Sequence, residues 1–218
     1  MLERILPAAA VVVATTGERS VELFPEEEAV VGNAVEKRRL EFVTARACAR
    51  EAMAHLGLPE QAVGSGARGE PLWPAGIVGS ITHCAGYRAC AVAPASELLT
   101  IGVDAEVADP LPPGLIDDIA LPEERRWIER AAAERPGVSW DRLLFSIKES
   151  IYKAWFPLAR SWLGFEDASV VVDPASGTFT AHLLVPGPTL QGRKLDGFSG
   201  RWLCADGLLL SAIALPLT

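Results

Sequence analysis

The apolar residues of LLFSIKESIYKAWFP, residues 143–157, fall at helical steps. Leu144, Ile147, Ile151 and Ala154/Trp155 recur every three or four positions and make one stripe, so a helix is predicted over about 139–156, stopped by Pro157. The same periodicity predicts helices at about 34–56, stopped by Gly57 and Pro59, and at 121–135, with Pro122 in its first turn. Between them the pattern shortens to strand runs. VVVAT and SVELF lie within 8–24, broken by Thr16-Gly17. IVGSIT (77–82) and YRACAVA (87–93) read as a hairpin with a four-residue loop, and LLTIGVDAE (98–106) follows. Further strands are expected near 168–173, 177–185, 199–205 and 207–215, with DPASG and Asp206-Gly207 as turn signals.

The order of elements is a long helix and then several strands, twice. That predicts an α+β fold of two similar halves with mainly antiparallel sheets. Hairpin-spaced runs disfavour a doubly wound parallel sheet. The proline-rich DPLPPG, 109–114, marks the division, giving halves 1–108 and 109–218 that act as one functional unit. The segment GSGARGEPLWPAG, 64–76, reads as a structured loop stiffened by Trp73 and two prolines.

Composition narrows the function. A net charge of −8 argues against a broad nucleic-acid footprint, so any anionic ligand must meet a local basic cluster. The four cysteines form no C-x-x-C pair and suit buried thiols in a reducing cytosol. The apolar run ILPAAAVVVA (5–14) reads as a strand, because Glu3 cancels Arg4 and leaves no basic leader. No run reaches the ~18 apolar residues that span a bilayer.

Several polar features stand out. In IGVDAE, 101–106, Gly102, Asp104 and Glu106 share one strand face, and two adjacent carboxylates invite a hard cation, although the wet end of a strand looks the same. Glu149 and Lys153 lie four apart, nearly opposite the stripe of their helix, with Lys148 beside them. A solvated ion pair would explain them equally well. His83 ends a strand after Ser80 and Thr82, a set able to meet a phosphate. Along 36–51 five cations stand among three acids, with Arg39, Arg46 and Arg50 on one helix face and Arg38 nearby. Arginine suits phosphate, and a solvated helix face suits arginine.

Taken in order, R-R-x-E-F-x-x-x-R (38–46), G-E-P (69–71), G-S-x-x-H (79–83), G-V-D-x-E (102–106) and F-S-x-K-E-x-x-Y-K (145–153) resemble the 4′-phosphopantetheinyl transferases, of the Sfp-type superfamily and its enterobactin-synthase-activating branch. The last motif is the most diagnostic, and the resemblance runs from about 36 to 157. It implies a monomer of two α+β halves with coenzyme A between them. It implies Mg²⁺, or Mn²⁺, on Asp104, Glu106 and Glu149, with Asp104, Glu149 and Lys153 catalytic. Lys153 and Lys148 would contact the pyrophosphate. His83, Thr82, Arg38 and Arg46 would bind the 3′-phosphate, and Gly69, Glu70 and Pro71 the adenine edge. The partner would be an apo acyl or peptidyl carrier protein in the cytoplasm, with no nucleic acid and no membrane involved. One departure is the lack of a basic residue near Ser65; Arg68 would substitute, or the 3′-phosphate would be held less tightly. Two other readings use the same residues: a Mg²⁺-dependent pyrophosphate phosphohydrolase, and a non-catalytic module binding coenzyme A or a carrier.

Overall fold

The computed structural model describes residues 1–217. The first half comprises β1 (Val11–Thr15), α1 (Pro25–Val31), the long α2 (Glu36–His55), a small hairpin of β2 (Gly64–Ser65) and β3 (Pro71–Leu72), and the hairpin of β4 (Ile77–Cys84) and β5 (Tyr87–Pro94). Next come β6 (Leu98–Val107), α3 (Ile116–Ile119), α4 (Pro122–Glu134) and the long α5 (Trp140–Ala159). The chain closes with β7 (Ala168–Asp173), β8 (Thr178–Leu183), the short β9 (Thr189–Leu190) and β10 (Arg193–Lys194), β11 (Gly197–Ala205) and β12 (Leu208–Pro216).

Every strand pair is antiparallel, in an α+β architecture. Of the two larger sheets, one has the order β1-β5-β4 and the other β6-β12-β11-β8-β7; β2-β3 and β9-β10 form two-stranded ribbons. The two share a wiring: the first strand pairs with the last of its group, which pairs with the one before. By that rule β6 is the opening strand of the second sheet. A boundary at 108 would separate it from β12, to which it is hydrogen-bonded from Leu98 to Val107.

Helix α2 packs Cys48, Ala49, Ala52 and Met53 against Val13, Cys90 and Val92. Helix α5 packs Trp140, Leu143, Leu144, Ile147, Ile151, Ala154 and Trp155 against the larger sheet, the stripe read from the sequence. Each such large side chain contributes roughly 1.5–3 kcal/mol on burial. Between the sheets, Ala89, Ala91 and Ala93 of β5 meet Ile101, Val103 and Ala105 of β6, and the alanines let the layers come close.

Three local expectations change. Ser20–Phe24 is not a strand. Its backbone is taken up by α2 side chains instead: Arg19 N–H donates to Thr44 Oγ1, and Arg50 donates to the Glu22 carbonyl. The turn at 83–86 shortens to Ala85-Gly86, because the strands run on to Cys84 and Tyr87 and Gly86 takes a positive φ of 75°. Pro157 lies inside α5, in its last turn, and the helix ends at the left-handed Arg160.

Candidate active site

Strand β6 is the seam of the molecule. One edge pairs with β12; along the other, Ser80 and Thr82 of β4 accept hydrogen bonds from the backbone N–H groups of Val103 (3.1 Å) and Ala105 (2.9 Å). The even-numbered face of β6 looks at α5. A Cβ on Gly102 would overlap the Ser150 carbonyl, so helix and strand approach as closely as backbones allow. Thr100 Oγ1 donates to the Ala154 carbonyl at 3.0 Å and holds that approach. This brings two motifs together that are more than 40 residues apart.

At the meeting point Lys153 Nζ lies 2.7 Å from Asp104 Oδ1 and 3.1 Å from the Val103 carbonyl. Thr82 Oγ1 donates to the same carboxylate oxygen at 3.3 Å. Asp104 Oδ2 is buried and has no hydrogen-bond partner. Glu106 takes a hydrogen bond from Arg142 Nη1 at 3.0 Å. Burial and the neighbouring Asp104 push its carboxyl up. Glu149, on the face of α5 that carries Lys153, makes no hydrogen bond or ion pair among the described residues. Burial raises its carboxyl as well; Lys153 opposes that shift and Asp104 adds to it.

These residues line a cleft of about 440 Å³ between the halves. Its first-half wall carries Arg38, whose Nη1 is 3.2 Å from His83 Nε2, and Arg46, which stacks on Phe42 at 4.1 Å. Burial holds His83 below its usual value, and the positive charge of Arg38 adds to that effect. Arg46 is also pulled down by burial, to about 10, and donates to Ser65 Oγ at 2.9 Å. Arg39 and Arg50, from the same helix face, are matched by Glu28 and Glu27 of α1. The acidic run 26–28 thus neutralises most of the arginine stripe and leaves Arg38 to the cleft. The 69–71 segment sits at the cleft edge. Gly69 has φ +81°, and a Cβ on Gly66 would overlap the Glu70 carboxylate, which folds back into the loop.

Of the residues expected at the site, Arg38, Arg46, Gly69, Glu70, Pro71, Thr82, His83, Asp104, Glu106, Glu149 and Lys153 all line this cleft. Thr82 does so from below Asp104, its hydroxyl shared between that carboxylate and β6. Lys148 is elsewhere. Its ammonium is buried against Glu124 (2.8 Å) and the Phe165 carbonyl (2.7 Å), because it projects from α5 toward α4 instead of toward β6. A smaller cavity of about 140 Å³, lined by Glu149, Tyr152, Trp162, Leu163 and Phe165 among others, adjoins the cleft at Glu149 and Tyr152. Sequence reasoning missed Arg142, although it lies seven residues before Glu149 and so shares its helix face. It also missed the rim partners of two residues it did name, Trp162 under Arg68 (5.9 Å) and Arg160 beside Glu70 (3.7 Å).

Two family models cover most of the chain: the 4′-phosphopantetheinyl transferase N-terminal domain over residues 26–93, and the 4′-phosphopantetheinyl transferase superfamily over 100–198. This chain belongs to that superfamily. The second match begins within β6. Relatives agree over nearly the whole length. The chain is 55% identical to the 4′-phosphopantetheinyl transferase Svp of Streptomyces mobaraensis, over 88% of this chain and 78% of that one. It is 47% identical to the transferase Npt of Nocardia iowensis, over 98% and 99%. It is 46% identical to the transferase PptT of Mycobacterium tuberculosis, over 88% and 85%. Similarity to enterobactin synthase component D of Salmonella typhi is lower, 34% over 62% of this chain and 55% of that one. The chain is therefore a 4′-phosphopantetheinyl transferase, and its cleft is the candidate active site.

Proposed function

We propose that this transferase moves the 4′-phosphopantetheine arm of coenzyme A to a serine of an apo acyl or peptidyl carrier protein and releases 3′,5′-ADP. The observation that carries the reading is the convergence of Asp104, Glu149 and Lys153 at one end of a cleft whose first-half wall holds Arg38, His83 and Arg46. Coenzyme A has a pyrophosphate for the first group and a 3′-phosphate for the second. In an acidic chain, these cations account for its attraction to the cleft.

A divalent cation, Mg²⁺ or Mn²⁺, fits the carboxylate set. Among the described residues Asp104 Oδ2 is a buried acceptor with no partner, and burial, with Asp104 adding to it, raises the pKa of both Glu106 and Glu149. All donors are hard oxygens, as such an ion requires. No three Asp, Glu, His or Cys side chains among the described residues form a ready-made cluster. Asp104, Glu106 and Glu149 would hold the ion, which supplies charge neutralisation at the pyrophosphate.

The residues divide the remaining work. The serine oxygen forms a bond to the β-phosphorus of coenzyme A while the bond to the 3′,5′-ADP oxygen breaks. Lys153 faces the site where phosphate charge grows, and a fixed cation stabilises it there without reorganising. Glu149, unpaired and with a raised pKa, accepts the serine proton. Arg38 and His83 fix the 3′-phosphate, and the 69–71 backbone the adenine. The segments before and after β6 supply opposite walls, so the chain works as one unit, as a monomer. Four free thiols accord with action in the cytoplasm, and the net charge of −8 with a partner other than nucleic acid. Among the described residues, no helix is long and apolar enough to cross a membrane.

The test is a mass shift. The chain is incubated with coenzyme A, Mg²⁺ and an apo acyl carrier protein, and the carrier is weighed intact. A gain of one phosphopantetheine arm, abolished by EDTA, is expected. Free phosphopantetheine released as fast without a carrier would make it a phosphohydrolase. Tight coenzyme A binding with no transfer to any of several carriers would make it a binding module.

A further inference from the structure

Lys148 belongs to the most diagnostic motif in the sequence, yet its charge is consumed away from the cleft. Its side chain is 2% exposed and that of its partner Glu124 is 1% exposed. Glu124 is fully engaged: it accepts from the Leu121 N–H (2.8 Å), from the Val170 N–H (2.8 Å) and from Lys148 (2.8 Å).

The first half contains the same arrangement. Phe24-Pro25-Glu26-Glu27 opens α1 as Leu121-Pro122-Glu123-Glu124 opens α4, with proline in the first turn and the second glutamate reaching back to the N–H of the residue before the proline. Glu27 accepts from the Phe24 N–H (3.0 Å) and from the Val63 N–H (2.9 Å), as Glu124 does from Leu121 and Val170. It is ion-paired to Arg50 of the long helix, as Glu124 is to Lys148. Each cation also donates to a backbone carbonyl outside its helix, Arg50 to Glu22 and Lys148 to Phe165. The separations match: 23 residues from Glu27 to Arg50, and 24 from Glu124 to Lys148. Around the cations, Ala49-Arg50-Glu51-Ala52-Met53 parallels Ile147-Lys148-Glu149-Ser150-Ile151. The first-half copy has nothing to catalyse, since the residue corresponding to Glu149, Glu51, pairs with Arg19 at the surface.

We infer that Lys148 is a positioning residue and not a ligand of the pyrophosphate: with Glu124 it forms the second copy of the Glu27–Arg50 brace, locking α5 to α4 and to the Phe165–Val170 segment. The brace acts on the site through the next residue, because fixing the rotation of α5 at Lys148 fixes where Glu149 points. It also sets the Phe165 wall of the smaller cavity, which Lys148 and Glu149 both line. The functional part of this inference rests on the transferase reading above; the brace itself does not.

The experiment compares Lys148→Arg, Lys148→Met and the double variant Lys148→Met/Glu124→Gln in the full chain. Ligand-free thermal unfolding is measured first. Lys148→Met strands a buried carboxylate, and its melting temperature is expected to fall by roughly 6–20 °C. Adding Glu124→Gln removes the stranded charge and keeps an oxygen for one of the two backbone N–H groups, while its NH2 faces the other, so it should recover part of the loss, along with affinity for coenzyme A. Lys148→Arg copies the first half, and its KM for coenzyme A should stay within about threefold of the parent's. The proposal is overturned if Lys148→Met melts like the parent while both methionine variants lose coenzyme A binding equally, since that is how a pyrophosphate ligand behaves. If Lys148→Met does not fold, folding of the double variant supports the brace and its failure to fold counts against it. Failure of the unaltered chain to modify any carrier would sink the transferase reading while leaving the ligand-free melts to decide the brace.

Discussion

Asp104 is held on one side only. Lys153 Nζ and Thr82 Oγ1 both meet its Oδ1, at 2.7 and 3.3 Å, while Oδ2 is buried with no partner. A buried acceptor left unmatched costs roughly 1–3 kcal/mol, and the proposed cation would offset that cost. Asp104→Asn keeps the shape and removes the charge. It should lower transfer by roughly 10²–10³-fold, the loss typical for a preorganised electrostatic group. Calorimetric titration of Mg²⁺ into the coenzyme A complex should show binding in the parent and little in the variant. Equal Mg²⁺ affinity in both would remove Asp104 from the cation site.

Glu149 makes stability and activity respond to pH in opposite directions. Its pKa in the folded chain is raised, chiefly by burial. The folded state therefore favours the proton more than the unfolded state does, and stability from this group is lost as pH rises through the folded pKa. In ligand-free protein, Glu149→Gln should melt higher than the parent at neutral pH, and the advantage should vanish below the ordinary carboxylate range. In the proposed mechanism transfer needs the ionised form, so the acid limb of kcat/KM should lie above that range in the parent. Lower stability of Glu149→Gln at neutral pH would contradict this account.

Gly102 lets α5 touch β6. Gly102→Ala places a methyl group on the Ser150 carbonyl, where neither backbone can move without breaking the Thr100–Ala154 contact. Overpacking of this kind costs roughly 1–3 kcal/mol. At about 2–4 °C per kcal/mol for a chain of this size, thermal melts should register it. Transfer should fall further than stability, because the pushed helix carries Glu149 and Lys153 away from Asp104. A variant as active as the parent would show that the close approach is not needed.

Arg38 lies beside the arginine stripe that the acidic run of α1 meets, and it faces the cleft, where its contact is His83. Arg38→Ala should raise the KM for coenzyme A by roughly 10–100-fold, as expected for a lost charged hydrogen bond, with kcat little changed. The KM for dephospho-coenzyme A should not move. An equal rise for both substrates would place Arg38 on another part of the ligand.

Much of this molecule could be read along the chain. The stripe of α5, the IGVDAE strand face and the helix-then-strands order are periodic signals, and periodicity survives folding because it reflects which side of an element meets the core. The candidate site was legible through its motifs, all but one of whose cleft residues converge. Lys148 lies outside the cleft, which its motif did not show, because a motif gives the neighbour in sequence and not the direction in which a side chain leaves the helix. One residue of helix is about 100° of rotation, enough to turn Lys148 away from the cleft that Glu149 faces. The SVELF run was misread because its alternation matched a strand, while its backbone partners were side chains of α2.

The sequence by itself determined the long helices, the main strands, the candidate residue types and the family, since these depend on local spacing and on motifs. Only the tertiary structure decided that β6 joins the second sheet, that the acidic run of α1 consumes most of the arginine stripe, that Arg142 holds Glu106, and that Glu27–Arg50 and Glu124–Lys148 are two copies of one brace. Each of these is a pairing across 11 or more residues of chain. Such pairings are settled by which backbones can approach and which buried charges must be matched, and neither leaves a local signature.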